Sequence, residues 1–223
     1  MTFFCDFDGT VVTDDVTDLV LERFALPEWR DIEARWEAGL INSAECMQAQ
    51  IRLIQAGREE IDAFLEQVEI DPGFKDFKQF CDRHEIQLVI VSDGVDYFIQ
   101  RILALHSISG IRIIANRLVE TEAGFDLDFP YARPDCRVAA GVCKCAVLEG
   151  SGPHLYVGDG RSDFCVAHSA NMVFAKHKLA AYCRRKAIPH VVYSDFFDVL
   201  DAMRSYVSLS QPSSRQFSLS QQL

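Results

Sequence analysis

No apolar run in this 223-residue sequence reaches the roughly 18–20 residues that a membrane-spanning helix needs, which excludes such a helix. Basic residues are also short in supply: 22 Lys and Arg against 33 Asp and Glu leave a formal net charge of −11. That balance argues against a broad nucleic-acid surface, because phosphate-backbone binding needs clustered Lys and Arg. It leaves room for a small phosphorylated substrate, since a divalent cation and one or two basic side chains make a locally positive site in an acidic protein. No basic segment precedes the first apolar run, Phe3-Phe4-Cys5, and the eight Cys contain no paired CxxC. Reduced thiols in a cytoplasmic protein are the expectation. Hydrophobic residues make up 49% and charged residues 25%, so the chain buries a real core, with length enough for a smaller insert.

What is there alternates. Short apolar segments at Thr2–Asp6, Gln87–Ser92, Ile111–Asn116, His154–Gly158, Asn171–Ala175 and His190–Tyr193 read as strands bounded by turn formers. Runs such as Leu88-Val89-Ile90-Val91 suit strands buried on both faces of a parallel sheet. Helical patterns fall between them at Gly73–His84, Val95–His106, Lys144–Glu149, Ser162–Ser169, Leu179–Lys186 and Asp195–Val207. The order implies an α/β fold, a Rossmann-like parallel sheet with helices on both faces. Residues 13–71 break the alternation. Val16, Leu19, Val20 and Phe24 form one apolar stripe there, and Cys46, Ile51, Leu53 and Ile54 contribute to another. A small helical cap inserted after the first strand is expected, with residues 1–12 and 72–207 as the core. Asp71-Pro72-Gly73 makes the return, Asn116–Pro134 a hairpin about Glu122-Ala123-Gly124, and 208–223 a Ser- and Gln-rich mobile tail.

Four features carry chemistry. Asp6-Phe7-Asp8-Gly9-Thr10 ends the first strand, where an α/β sheet forms its ligand crevice. Two adjacent buried carboxylates are costly without a cation or partner, although an acidic turn reads the same way in isolation. Gly158-Asp159-Gly160-Arg161-Ser162-Asp163 ends another strand. Mg²⁺ takes one or two protein carboxylates beside water and phosphate, which Asp6 and Asp159 can supply with Asp163 orienting them. A turn residue and a helix cap are the plainer readings of that pair. Ser92-Asp93-Gly94 offers a hydroxyl and backbone N–H groups at a helix start, suited to phosphate or to an ordinary cap. Lys144 can neutralise a phosphoryl oxygen, or simply sit on the surface.

In order along the chain, these motifs are strand–DxDGT, strand–Ser, Lys and strand–GDxxxD. The set resembles the haloacid dehalogenase superfamily of aspartate-nucleophile phosphatases over all but the tail. The resemblance implies Asp6 as nucleophile and Asp8 as the acid, later the base. It implies Ser92, Asp93, Gly94 and Lys144 around the phosphate. Mg²⁺ would be held by Asp6, the Asp8 carbonyl and Asp159, with Asp163 and Thr10 behind them. A helical insert after the first motif resembles the phosphoserine-phosphatase branch, where an acid nine positions after the nucleophile binds substrate. Here that acid is Asp15, one methylene shorter than the Glu usual there.

Leu26-Pro27-Glu28-Trp29, Asp128-Phe129-Pro130 and Cys143-Lys144-Cys145 resemble a narrower group, the methionine-salvage phosphatases acting on 2-hydroxy-3-keto-5-methylthiopentenyl-1-phosphate. Phosphocholine and phosphoethanolamine phosphatases share the acid at Asp15 and stay open alongside phosphoserine. An amine would use an anionic or aromatic cage, for which Asp14, Asp15, Trp29 and Trp36 are available. A methylthio group would prefer aromatics and Met47. Cys136, Cys143 and Cys145 leave no obvious fourth ligand for zinc and read as reduced thiols. A receiver-type signalling module fits less well, because it would lack the insert and carry its phosphoacceptor on a later strand.

Overall fold

The computed structural model describes residues 1–136 and 138–210. Seven strands form one sheet: β1 (Thr2–Cys5), β2 (Gln87–Val95), β3 (Arg112–Thr121), β4 (Gly124–Asp128), β5 (His154–Gly158), β6 (Met172–Ala175) and β7 (Val191–Val192). Their order is β4-β3-β2-β1-β5-β6-β7, parallel throughout except for the antiparallel edge strand β4. The first strand in sequence is thus the central one, and both of its faces are covered. Phe3 and Cys5 are fully buried and belong to one cluster with Phe77, Phe174 and Phe196, while Phe4 joins Val89, Val91 and Tyr156 in another. The expected parallel α/β sheet is present, with helices packed against it.

Between β1 and Asp71 lie four short helices: α1 (Val16–Phe24), α2 (Trp29–Glu37), α3 (Ser43–Ile51) and α4 (Arg58–Leu65). Their apolar residues converge, with Val16, Val20, Leu21, Ile51, Ile54, Ile61 and Leu65 all buried. The stretch leaves and rejoins the sheet at one point, where Val12 bridges Ile70 and the Asp71 N–H donates to the Val11 carbonyl at 2.7 Å. Asp71 secures the return, its Oδ1 accepting the N–H groups of Gly73 and Phe196.

After it come α5 (Phe74–Arg83), α6 (Asp96–Leu105), α7 (Lys144–Leu148), α8 (His177–Lys186) and α9 (Phe196–Ser210). α5 buries Phe74, Phe77, Phe80 and Cys81 on one face, and truncating either fully buried Phe would cost about 3–5 kcal/mol.

Three sequence expectations shift. The helix expected over Ser162–Ser169 is two 3₁₀ turns, Arg161–Asp163 and Val166–His168, because Asp163 is drawn inward by four hydrogen bonds. Strand β2 runs past Ser92 to Val95, which pairs with Asn116 across a register shift, so Ser92-Asp93-Gly94 lies on a strand end and not at a helix start. Helix α9 continues to Ser210, three residues into the expected tail, and the tail from 211 onward lies outside the described residues. The hairpin is formed by β3 and β4 in the expected place.

Candidate active site

Strands β2, β1 and β5 are neighbours, so their carboxyl ends bring Ser92, Asp6 and Asp159 to one place despite separations of 67 residues or more in sequence. Asp6 follows β1 directly, is 5% exposed, and stays in register because its N–H donates to Val157 at 3.0 Å. Its Oδ1 accepts the Phe7 N–H at 2.8 Å. Gly9 makes the next turn with φ +66°, and a Cβ there would stand 2.7 Å from an Asp159 carboxylate oxygen. Only glycine lets this turn lie against Asp159.

Lys144 is not a surface residue. It is 2% exposed, and its Nζ lies 2.8 Å from Asp6 Oδ1, 2.7 Å from Asp163 Oδ1 and 3.1 Å from Ser162 Oγ. Burial works against its charge, but Asp163 and Asp6 outweigh that and hold its pKa above the ordinary lysine value. Asp163 is fully buried and both of its oxygens are engaged. Oδ1 accepts from Lys144 and from the Tyr156 hydroxyl at 2.6 Å, while Oδ2 accepts the N–H groups of Asp159 and Gly160. Burial alone would raise its pKa; Lys144 and these donors turn the shift downward. Asp163 therefore shapes the loop that carries Asp159. Thr10 stands behind Asp159, its hydroxyl 3.4 Å from Oδ1.

Oxygens of Asp6, Asp159 and Asp163 fall within 4.8 Å of one another. Burial and then the Asp163 charge raise the pKa of both Asp6 and Asp159, with Lys144 only partly offsetting them. One ammonium among three carboxylates leaves a deficit of positive charge. Hard oxygen donors at this spacing fit a divalent cation of the Mg²⁺ type.

Asp8 points elsewhere, with Oδ1 accepting the Val16 N–H at 2.9 Å and Oδ2 accepting the Ser92 hydroxyl at 3.2 Å. Burial first, and the charge of Asp15 second, push its carboxyl up to about 7, with Val16 and Ser92 restraining the rise. Gly94 permits this contact, as a Cβ there would come 2.6 Å from Asp8 Oδ2. Its N–H donates to Ser92 Oγ at 2.9 Å, so one of the backbone donors expected at this position is engaged within the turn. The Asp93 carboxylate is taken up by the Val142 N–H, the Ser43 hydroxyl and Asn116, tying the end of β2 to α3 and to the loop before α7.

Asp15 caps α1 by accepting the Asp18 N–H at 3.1 Å. Its carboxyl is raised first by burial and further by the charges of Glu33 and Asp93, with the Asp18 and Thr17 N–H groups restraining the rise. Sequence reasoning missed Asp18 and Glu33. Burial and then Asp15 and Glu33 push Asp18 up to about 7, and Gln50 Nε2 holds Glu33 at 2.7 Å. Trp29 is buried with Arg30 stacked on it, and Trp36 is partly exposed on the same helix. Met47 Sδ lies 3.6 Å from Asn116 Nδ2, beside Asp93. Tyr156 was also missed; the only signal was a lone polar atom within the apolar run of β5.

Known proteins share this architecture. A 2-hydroxy-3-keto-5-methylthiopentenyl-1-phosphate phosphatase of Geobacillus kaustophilus (strain HTA426) is 30% identical over 92% of this chain and 96% of its own length. A substrate-bound phosphoserine phosphatase structure superposes with a TM-score of 0.65 at 16% identity, covering 90% of this chain and 97% of that one. A phosphoserine phosphohydrolase-like protein from Francisella tularensis superposes with a TM-score of 0.67 at 18% identity, covering 91% and 99%. These two likenesses establish the common fold. The family model for haloacid dehalogenase-like hydrolases matches residues 3–168, and together with the identity to the Geobacillus protein it places this chain in that family.

Proposed function

We propose that the protein is a Mg²⁺-dependent phosphomonoester hydrolase of a small phosphorylated metabolite, working through an aspartyl-phosphate on Asp6. The observation that carries this reading is the convergence of Asp6 and Asp8, Ser92 and Asp159 at three adjacent strand ends with Lys144 of α7 buried against them, and with Asp8 poised near neutrality. Asp6 attacks phosphorus, its N–H anchored to Val157 so that the carboxylate stays aimed. Lys144 and the Ser92 hydroxyl contact the phosphoryl oxygens, and Lys144 exchanges part of its bond to Asp6 for the developing negative charge. Asp8 protonates the leaving alcohol and then, ionised, takes a proton from the water that cleaves the acyl phosphate. A pKa of about 7 leaves it competent in both directions. Asp6, the Asp8 carbonyl and Asp159 would hold a Mg²⁺ ion, which would supply charge that offsets the repulsion between anionic nucleophile and anionic substrate. Asp163 and Thr10 keep those ligands in place.

Helices α1 to α4 act as a cap that selects the alcohol. The similarity to the Geobacillus phosphatase over nearly the whole chain supports 2-hydroxy-3-keto-5-methylthiopentenyl-1-phosphate as substrate, and Met47 beside Asp93 suits a thioether. A second reading, phosphoserine or a phosphocholine or phosphoethanolamine ester, draws on Asp15, Asp18 and Glu33, whose mutual repulsion an ammonium would relieve. Steady-state hydrolysis of these esters side by side decides between them. Preference for an aminated ester by tenfold or more in kcat/KM would overturn the first. Hydrolysis of p-nitrophenyl phosphate that persists in chelator would overturn the metal requirement.

A further inference from the structure

The carboxyl edge of the sheet carries basic side chains as well as acids, beyond the strands that hold Asp6 and Asp159. Gly158 pairs in register with Ala175, and Ala175 with Val192. The residues that follow them, Asp159, Lys176 and Tyr193, therefore stand side by side along that edge. Lys176, His177, Arg184, Tyr193 and Ser194 line an open cavity of about 400 Å³ where β6, β7 and α8 meet. Lys176 is only 8% exposed. Its ammonium lies 5.1 Å from the centre of the Tyr193 ring, and among the described residues no carboxylate oxygen comes within 4.0 Å of it. His177 and Arg184 are exposed and also form no ion pair among the described residues. Acids on the surrounding elements are spent on backbone groups: Asp71 Oδ1 accepts from Gly73 and Phe196, Asp195 Oδ1 from Phe197, and Asp198 Oδ2 from Ser194. Asp159 and Asp71 feel the Lys176 charge at longer range. Three basic groups thus share one opening without acidic partners, in a chain whose net charge is −11.

We propose that this cavity is a second ligand site, which takes a phosphate-class oxyanion on Lys176, His177, Arg184 and the Ser194 hydroxyl. The anion is either the free ion or the terminal phosphate of a metabolite. The site shares no residue with the Asp6 centre and does not depend on the reading of that centre as a phosphatase. A buried ammonium without a counter-charge is costly, and an anion in the cavity supplies the partner that Lys176 lacks. The Arg184 guanidinium adds a planar fork of donors matched to phosphate oxygens. Helix α8 adds the positive end of its dipole, since it begins at His177 on the cavity wall. In its first turn the Leu179 N–H is taken by the Asp159 carbonyl at 2.7 Å, whereas the N–H groups of His177 and Lys178 meet no acceptor among the described residues. The volume falls within the roughly 300–1,000 Å³ of small-molecule pockets, and the exposed Val192 side chain offers an apolar wall to the rest of a larger ligand.

The test uses the whole protein in chelator, with inorganic phosphate as the probe and titration calorimetry as the readout. Without a divalent cation the carboxylates of the Asp6 centre repel the probe, which leaves the cavity as the site measured. The wild type should bind one equivalent, with affinity falling as salt rises. Ser92→Ala should bind equally well. Arg184→Gln and Lys176→Gln should each weaken binding by about tenfold or more, the loss expected for a charge-assisted hydrogen bond. Arg184 is exposed, so its variant keeps the test independent of whether buried Lys176 is needed for folding. Phenylphosphonate, whose P–C bond resists hydrolysis, separates the two sources of the anion. Binding within about threefold of phosphate assigns the cavity to the terminal group of a metabolite, and weaker binding assigns it to the free ion. A wild-type Kd for phosphate above about 1 mM, or binding that Ser92→Ala abolishes and Arg184→Gln leaves unchanged, would overturn the proposal.

Discussion

The strand-end cluster and the helical insert solve the problem of placing acids in opposite ways. At the strand ends Asp163 is wholly enclosed and saturated with donors, and Lys144 is held by two carboxylates within 2.8 Å. In the insert Asp15 and Asp18 are exposed residues, and after burial it is the charges of other acids, Glu33 among them, that raise both carboxyls. The insert is tied to the rest by exposed pairs such as Arg52–Asp126 at 2.8 Å, Arg58–Glu120, and the Gln48 amide on the Leu127 carbonyl. Buried, saturated groups lose much when one partner goes; exposed pairs lose little. The lesson is that the strand-end groups sit where geometry is over-determined, and the insert's acids where side chains can change at small cost.

The largest effect should come from Asp6→Asn. Turnover should fall by about 10⁴-fold or more, as for removal of other nucleophiles, with circular dichroism and melting essentially unchanged. Retained metal-dependent turnover would sink the covalent mechanism. Next, Asp163→Ala leaves Lys144 with one carboxylate and frees the Asp159 and Gly160 N–H groups. It should cost about 3–5 kcal/mol in urea unfolding, and a loss below about 1 kcal/mol would show that the cluster is not over-determined.

A smaller effect concerns pH. Asp8 must be protonated for the first step, so phosphoryl transfer to Asp6 should decline as pH rises through about 7. The Asp15 charge helps raise that pKa, so Asp15→Asn should lower it and move the alkaline limb to lower pH. A limb that stays put or moves upward would separate Asp15 from Asp8. The smallest effect is expected from Arg52→Ala, which removes an exposed bidentate pair. Stability should change by about 0.2–1 kcal/mol, with KM altered more than kcat if the insert only selects substrate.

Much of this was legible in one dimension because strands bury apolar residues and end in polar ones. Phe3-Phe4-Cys5 before Asp6, and Leu155-Tyr156-Val157 before Asp159, announce themselves as strand ends in the crevice. The 3₁₀ turns at Arg161–Asp163 were not legible, because the local pattern is helical and Asp163 is pulled aside by Lys144, a partner 19 residues away. Nor was the end of β2, where pairing of Val95 with Asn116 overrides the local signal for a helix start.

The sequence by itself determined the α/β order, the acids that follow its strands and the helical insertion after β1, since each rests on local periodicity and residue type. Only the tertiary structure decided that Lys144 is buried between Asp6 and Asp163 and that Asp93 is spent on holding loops together. Those facts depend on which strands become neighbours and on the desolvation that follows. Neither quantity is written in any one segment of the chain.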